Sequence, residues 1–517
     1  MREEIFRMER VTRIERGMVR LEDFNLQVYK GEIMGLLPVN AHGMTAFLNL
    51  LQTNLPIRDG YVYYGGGLVN SWKESGREAN RISIIQAQSC LVEQMTVTDN
   101  IFVLRQGYRQ RMIRPGILQS QLEPFLRDIG IDLAADCRVE KLSVFERVVV
   151  ELLKAVILGY RLIVLNEIST LISSRELCKL HHIMRHYAKR GFSFLYVSPH
   201  FEELVQLCGR VAMFSHGRIQ KVLRGAEMDE ECLRGYVEEY DSMVRAHLES
   251  CGAESEKGAP VLTVDGLTCG SLNRLNLNFY AGECVVIQNM DNEVYKDLTG
   301  LLTGALRAET GCFRMEGNPV EICGNRNAAV ILEQPTRTML FPRMSYMDNL
   351  CMGLSWRMPG VWNSFRIQKS IRKEYGKLLG EDVFDMQLEE LDEKQKYQLV
   401  YMRVLLQKPR IVFCIQPFKG ADMSHRMLVW KLLEMMLNKK IAVVILALNL
   451  ADSISLAERL VRIGSDGSIE EISRDHFGTL SGDAPWRYLY REKSVKMTDG
   501  NVFRDFHKKT AEELGRP

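Results

Sequence analysis

The chain has 517 residues, enough for two to four domains at about 150 residues each. Its 67 basic and 65 acidic residues leave a net charge of +2, too weak a field to argue for nucleic acid as a partner. No apolar run approaches the ~20 residues of a membrane span, and the 12 cysteines follow no CxxC pattern, which argues against a zinc site or a disulfide framework.

From Met1 to Arg10 there is no apolar stretch of the kind a secretory leader carries. The run Ile33 to Leu37 predicts a strand, and Thr45 to Leu51, with leucine at helical spacing, predicts a helix. Between them lies the setting of a phosphate loop, GxxxxGK[ST], where backbone amides wrap phosphates and one lysine neutralises them. Met44 stands in the lysine's place and brings no charge; Lys30 and Lys73, the nearest lysines, lie outside the loop.

Further along, the chain repeats itself over about half its length. Tyr29 to Gly35 is echoed by Tyr280 to Val286, each a strand entry through Gly-Glu. Met95 to Ile101 is echoed by Met344 to Leu350, each opening a helical stretch behind Ser or Thr. Arg161 to Glu167 is echoed by Arg410 to Gln416, and Phe194 to Ser198 by Val443 to Ala447, all apolar strand runs. This order predicts two α/β lobes of parallel-sheet type.

Leu142 to Ala155, Glu167 behind its strand, Phe201 to Leu204, and Lys408 to Asp422 complete a set of words in register. Together they resemble a tandem-cassette ATP-binding subunit of sugar importers, of the ribose, galactoside and xylose kind, from about residue 5 to 475. The resemblance implies two tandem ATP-binding-cassette folds, each a P-loop NTPase-like parallel sheet with a helical subdomain and antiparallel strands. It also implies a first cassette over 1–225, a connector over 226–257, a second cassette over 258–475 and a basic tail over 476–517. ATP and magnesium as cofactors, a transmembrane permease as partner, and a cytoplasmic, membrane-peripheral location are implied with it.

The chemical positions depart from that family. Its loop glycines fall on Pro38, Ala41 and Gly43, so Asn40, Gly43, Met44 and Thr45 are what remains to meet phosphates. The aromatic that stacks on adenine falls near Glu15. The magnesium-binding aspartate falls on Asn166, leaving Thr45 and Asn166 as metal candidates and Glu167 as the residual catalytic carboxylate. The sensor glutamine falls on Ala87, between Gln86 and Gln88, and the switch histidine on Pro199, beside His200. A slip of one residue restores either, although lone surface Gln and His residues are commoner than ligands.

In the second lobe Gln288 to Lys296 contains no glycine; Asp291 and Glu293 would repel phosphate, and Lys296 lies one position late. Ile415 and Gln416 replace the acidic pair there. The first signature segment keeps Ser143 but puts Phe145 in place of its glycine and adds Glu146; the second carries Asp392 and Glu393. Carboxylates at a helix N-terminus take the anion's role themselves.

The resulting expectation is weak or absent ATP and magnesium binding, in a non-hydrolysing pseudo-ATPase that engages a permease or regulatory partner. Its docking surface would be 89–140 and 338–390, with Phe125, Met339, Phe341 and Trp356 as candidates. One alternative is a slow ATPase energising carbohydrate import, with Arg20 or Arg81 replacing the lysine. Another is a soluble scaffold or regulator whose tail from Tyr488 to Pro517 carries the contact. A ribosome-bound tandem cassette fits less well, because the connector from Glu227 to Lys257 is short and acidic. Pairing of the lobes within one chain or across a homodimer stays open.

Overall fold

The computed structural model describes residues 3–479, except 16, 76–78, 104–113, 173, 229–257, 290–291, 355–362, 449, 451–452 and 465–467. Nearly all of the expected connector, the tail from 480, Asp291 and Trp356 lie outside the described residues.

The first lobe begins with β1 (Glu4–Glu15) and β2 (Met18–Tyr29), followed by β3 (Ile33–Pro38), β4 (Asp59–Tyr64), β5 (Gly67–Ser71) and β6 (Ile82–Ile85). Then come β7 (Leu162–Asn166), β8 (Ser193–Val197), β9 (Arg210–Ser215) and β10 (Arg218–Arg224). They form an antiparallel sheet in the order β2-β1-β4-β5 and a six-stranded sheet in the order β10-β9-β3-β8-β7-β6, parallel apart from β9 with β10.

The second lobe runs from β11 (Leu262–Cys269), β12 (Leu272–Phe279), β13 (Cys284–Asn289), β14 (Thr310–Met315) and β15 (Asn318–Val320) to β16 (Ala328–Ile331). It continues through β17 (Ile411–Ile415), β18 (Ala442–Ala447), β19 (Arg459–Ile463) and β20 (Ile469–Ser473). Its sheets have the orders β12-β11-β14-β15 and β16-β17-β18-β13-β19-β20, the first lobe's connectivity repeated. Two α/β lobes of one topology are the observed fold.

The central strands β3, β8, β9 and β18 are buried at every residue, as sheets covered on both faces require. Each lobe has two cores, one on either side of its parallel sheet. The second lobe's core runs on to the buried Phe477, past the expected boundary at 475. Among the described residues no helix is long and apolar enough to cross a membrane.

The echoed words turn out to be structural fastenings. Glu32 accepts the Tyr29 amide at 2.9 Å and pairs with the buried Arg210 of β9 at 2.6 Å. Glu283 accepts the Tyr280 amide at 3.2 Å and pairs with Arg459 of β19 at 3.1 Å. Likewise the fully buried Asn100 accepts from the Val92 amide at 2.8 Å and donates to Val92 and Thr96 carbonyls. Asn349 does the same with Phe341 and Ser345. Buried amides and ion pairs persist only where fully partnered, so each word is retained as a unit.

The lobes touch each other through the loop after β3 and the segment after β8. The Ala41 amide of the first lobe donates to an Asp422 carboxylate oxygen of the second at 2.9 Å, and Arg426 of the second lobe lies against His200 of the first.

Candidate functional site

The loop after β3 leads into helix α1 (Met44–Gln52), whose N-cap Gly43 has φ +89° and no side-chain cap. A Cβ at Gly43 would sit 2.0 Å from the Arg20 carbonyl oxygen, so glycine is required here by packing against β2. Four loop amides already have acceptors. Val39 donates to the Phe214 carbonyl at 2.9 Å, Ala41 to Asp422 at 2.9 Å, His42 to the Asn40 side chain at 2.8 Å and Met44 to the Ala41 carbonyl at 3.0 Å. His42 itself is fixed through its ring to the Val19 carbonyl at 3.0 Å.

Met44 does not face the loop's hollow. It is 7 % exposed and belongs to the core with Phe24, Phe47 and Phe214, whose rings pack 4.9–6.4 Å apart. Thr45 is exposed on the first helical turn. Gln86, Ala87 and Gln88 are exposed on the turn after β6. Glu15, at the expected adenine position, is paired with Arg13 at 2.7 Å.

At the end of β7, the Asn166 side-chain oxygen is buried without a hydrogen-bond partner. Glu167 follows with φ +55°, its amide donating to the Val197 carbonyl at 2.9 Å. The equivalent Gln416 has φ +43° and donates to the Leu446 carbonyl at 2.9 Å. A left-handed conformation at a non-glycine residue in both lobes is uncommon; the backbone is kept even where the carboxylate is gone. Burial pushes the Glu167 pKa up, Asp422 adds to the rise, and Arg426 partly offsets it. Arg426 of the second lobe is thus the cation that lowers the Glu167 pKa, a residue the sequence did not single out; Arg20 and Arg81 were candidates for the loop lysine's role alone.

Pro199 and His200 are buried, and His200 is only 6 % exposed. Its amide donates to Ser198 Oγ at 3.2 Å, and Ser198 in turn donates to the buried Glu203 at 2.7 Å. Glu203 is also bonded to Tyr196 and to His181, the latter at 3.2 Å. Burial alone would raise the Glu203 pKa, but the His181 bond and the neighbouring histidines and Tyr196 outweigh it, so the carboxyl lies below its ordinary value.

The signature segments are closed on themselves. Ser143 caps the helix Val144–Ile157 by accepting the Glu146 amide at 3.2 Å, and Glu146 accepts the Ser143 amide at 2.8 Å. Phe145, at the glycine position, is buried in the core. Asp392 and Gln395 form the same reciprocal cap at 2.7 and 2.9 Å on the helix Glu393–Gln407. Reciprocal capping of this kind uses the amides that would otherwise meet an anion.

In the second lobe, Tyr295 occupies the loop lysine's position and donates to Glu333, at the sensor position. Glu333 also pairs with Lys419 at 2.8 Å, and Lys296 is exposed. A cavity of about 40 Å³ between the lobes is lined by Thr170, His200, Gln416, Lys419 and Ser453 among others. At 10–15 Å³ per water, as a rough guide, it has room for a few solvent molecules. Of the proposed docking residues, Phe341 is exposed, whereas Phe125 and Met339 are half-buried and pack on the cores.

The ABC transporter family model matches residues 21–170. The chain is similar to a ribose import ATP-binding protein of Rubrobacter xylanophilus, 24 % identical over 88 % of this chain and 93 % of that one. It is similar also to a xylose import ATP-binding protein of Geobacillus kaustophilus, 21 % identical over 92 % of this chain and 97 % of that one. Among solved structures, the RNase-L inhibitor is 13 % identical with a TM-score of 0.57 over 98 % of this chain and 99 % of that one, a likeness of fold alone. The chain is therefore a tandem-cassette protein of the ATP-binding-cassette fold, related along about nine-tenths of its length to the ATP-binding proteins of ribose and xylose import.

Proposed function

We propose that the chain is a pseudo-ATPase of the sugar-import type, which keeps the paired-cassette shape and engages a permease or a regulatory partner without turnover. The observation that carries this reading is the hydrogen-bond balance of the loop: the amides of Val39, Ala41, His42 and Met44 already have protein acceptors. With Met44 turned into the core, no cation from the loop offsets a triphosphate. Losing one charge-assisted contact costs about 1.5–3 kcal/mol, so several losses remove at least two to four decades of affinity at ~1.4 kcal/mol per decade. Magnesium fares no better, since Asn166 brings an oxygen without charge and Thr45 a neutral hydroxyl.

The names of the relatives support a carbohydrate permease as the partner, with the chain peripheral on the cytoplasmic face of the membrane. In this reading residues 1–225 and 258–475 are the two cassettes, 226–257 the connector and 476–517 the tail. The test is the thermal midpoint of the full chain with and without millimolar Mg-ATP. Ligand at ~100-fold over Kd stabilises a binding fold by about 2.7 kcal/mol; no shift is expected, and a magnesium-dependent rise of a degree or more would overturn the reading.

A slow ATPase is the second reading, favoured by one observation: Arg426 brings a cation beside Glu167. Steady hydrolysis lost in Glu167→Gln would establish it.

A further inference from the structure

The helix Asn363–Leu379 of the second lobe carries two opposed stripes, each spaced by four residues. Ile371, Tyr375 and Leu379 are buried in the core, and Ile367 packs against it. On the far side Phe365, Lys369, Lys373 and Lys377 are exposed together with Arg366, and Phe365 is 75 % exposed. At about 100° and about 1.5 Å per residue, the basic side chains fall within roughly 80° of arc along about 16 Å of helix. We infer that this stripe is a lipid-contact surface, which lays the second lobe against anionic headgroups of the cytoplasmic leaflet with Phe365 entering the headgroup layer. The proposal rests on the membrane-peripheral part of the reading above.

The charge of the stripe is left open. Among the described residues none of its cations meets a carboxylate, whereas Arg372, on the flank, is taken by Asp385 at 3.0 Å. Glu374, the one acid in the helix, stands about 60° beyond Lys377. Lysines four residues apart repel and weaken a helix, so a row of three carries a cost that a facing anionic surface offsets. The helix in the same place of the first lobe, Pro115–Ile129, has no lysine, and its one arginine, Arg127, is paired with Glu123 at 2.8 Å. The stripe is therefore a feature of one lobe and is not demanded by the fold. With a net charge of +2 the whole chain has no long-range field for nucleic acid, so the attraction is local. An aromatic ring beside basic side chains suits a headgroup boundary, where the ring enters the apolar edge and the cations meet phosphates.

Flotation of the full chain with vesicles of phosphatidylcholine alone, or of equal parts phosphatidylcholine and phosphatidylglycerol, tests this with no permease present. Binding is expected to the anionic vesicles only, and it should weaken as salt is raised. Each lysine near an anionic surface is worth roughly a five-fold change in affinity, so Lys369→Gln, Lys373→Gln and Lys377→Gln combined should weaken binding on the order of 100-fold and flatten its salt dependence. Phe365→Ala should weaken binding and leave the salt dependence as it is. All four side chains are exposed, so the thermal midpoint should stay near that of the wild type. Equal binding of the wild type to both kinds of vesicle, or to neither, would overturn the proposal, as would wild-type binding by the triple variant. Stronger binding to polyglutamate than to vesicles of equal anionic charge would also overturn it, and would assign the stripe to an acidic peptide. The wild-type comparison decides the matter even where a variant loses its fold. Absence of vesicle binding leaves a permease as the membrane tether, and hydrolysis by a vesicle-bound chain would sink the pseudo-ATPase reading alone, so the two readings fail separately.

Discussion

Arg426 and His200 lie face to face: one guanidinium nitrogen is 3.4 Å from Nδ1 and the other 3.5 Å from Nε2. The two ring nitrogens point in diverging directions within the imidazole plane, so near-equal distances to one planar fork mean stacking rather than two in-plane bonds. The contact joins a residue of the second lobe's helix Met423–Asn438 to the segment after β8 in the first.

Arg426→Ala removes a side chain that is 2 % exposed and leaves Glu167 without its nearby positive charge. A loss of about 2–4 kcal/mol is expected, read as a lower midpoint in urea denaturation. Arg426→Lys should recover little of it, because an ammonium has no plane to stack.

Met44→Lys is expected to lower the thermal midpoint and to confer no hydrolysis. An ammonium placed among Phe24, Phe47 and Leu36 must be buried or force the helix start outward, at about 1–3 kcal/mol. The phosphate-release assay should stay at background, since Asn166 and both self-capped signature helices are untouched.

Gly43→Ala should cost about 3 kcal/mol or more, because the new methyl meets the Arg20 carbonyl at 2.0 Å as well as the left-handed backbone. Gly65→Ala, at φ +58° with open space around it, isolates the backbone contribution and should cost about 1 kcal/mol. Thermal midpoints of the two variants give the comparison.

Glu203→Gln tests the buried network behind His200. The folded pKa of Glu203 lies below its ordinary 4.5, so its contribution is present above that pH and is lost as pH falls through the folded value. At pH 7 the glutamine variant should be less stable by about 2–3 kcal/mol. The gap between the two denaturation curves should close on acidification below pH 4.5.

What depends on neighbours along the chain was legible in the sequence. The run Ile33 to Leu37 is the strand Ile33–Pro38, and Thr45 to Leu51 is the helix Met44–Gln52. Side-chain destinations were less so. Met44 was read as a gap facing phosphates, yet it lies in one core with Phe47; Phe125 and Met339 were named as docking candidates, and they are half-buried against the cores. Periodicity reports which face of an element is apolar, whereas the direction of a residue at an element's end is set by what the tertiary fold places there. Asp422 closed a recognised segment, but its partner Ala41 is 381 positions away in sequence, and no local pattern connects them.

Met44 and Phe145 are alike in what their surroundings resist. Each stands where the family pattern has a lysine or a glycine, and each lies in a hydrophobic core. Replacing either by the residue of that pattern would bury a charge or open a cavity before any new contact formed. Packing thus acts as a ratchet at both positions, because every single substitution toward the pattern costs stability on its own.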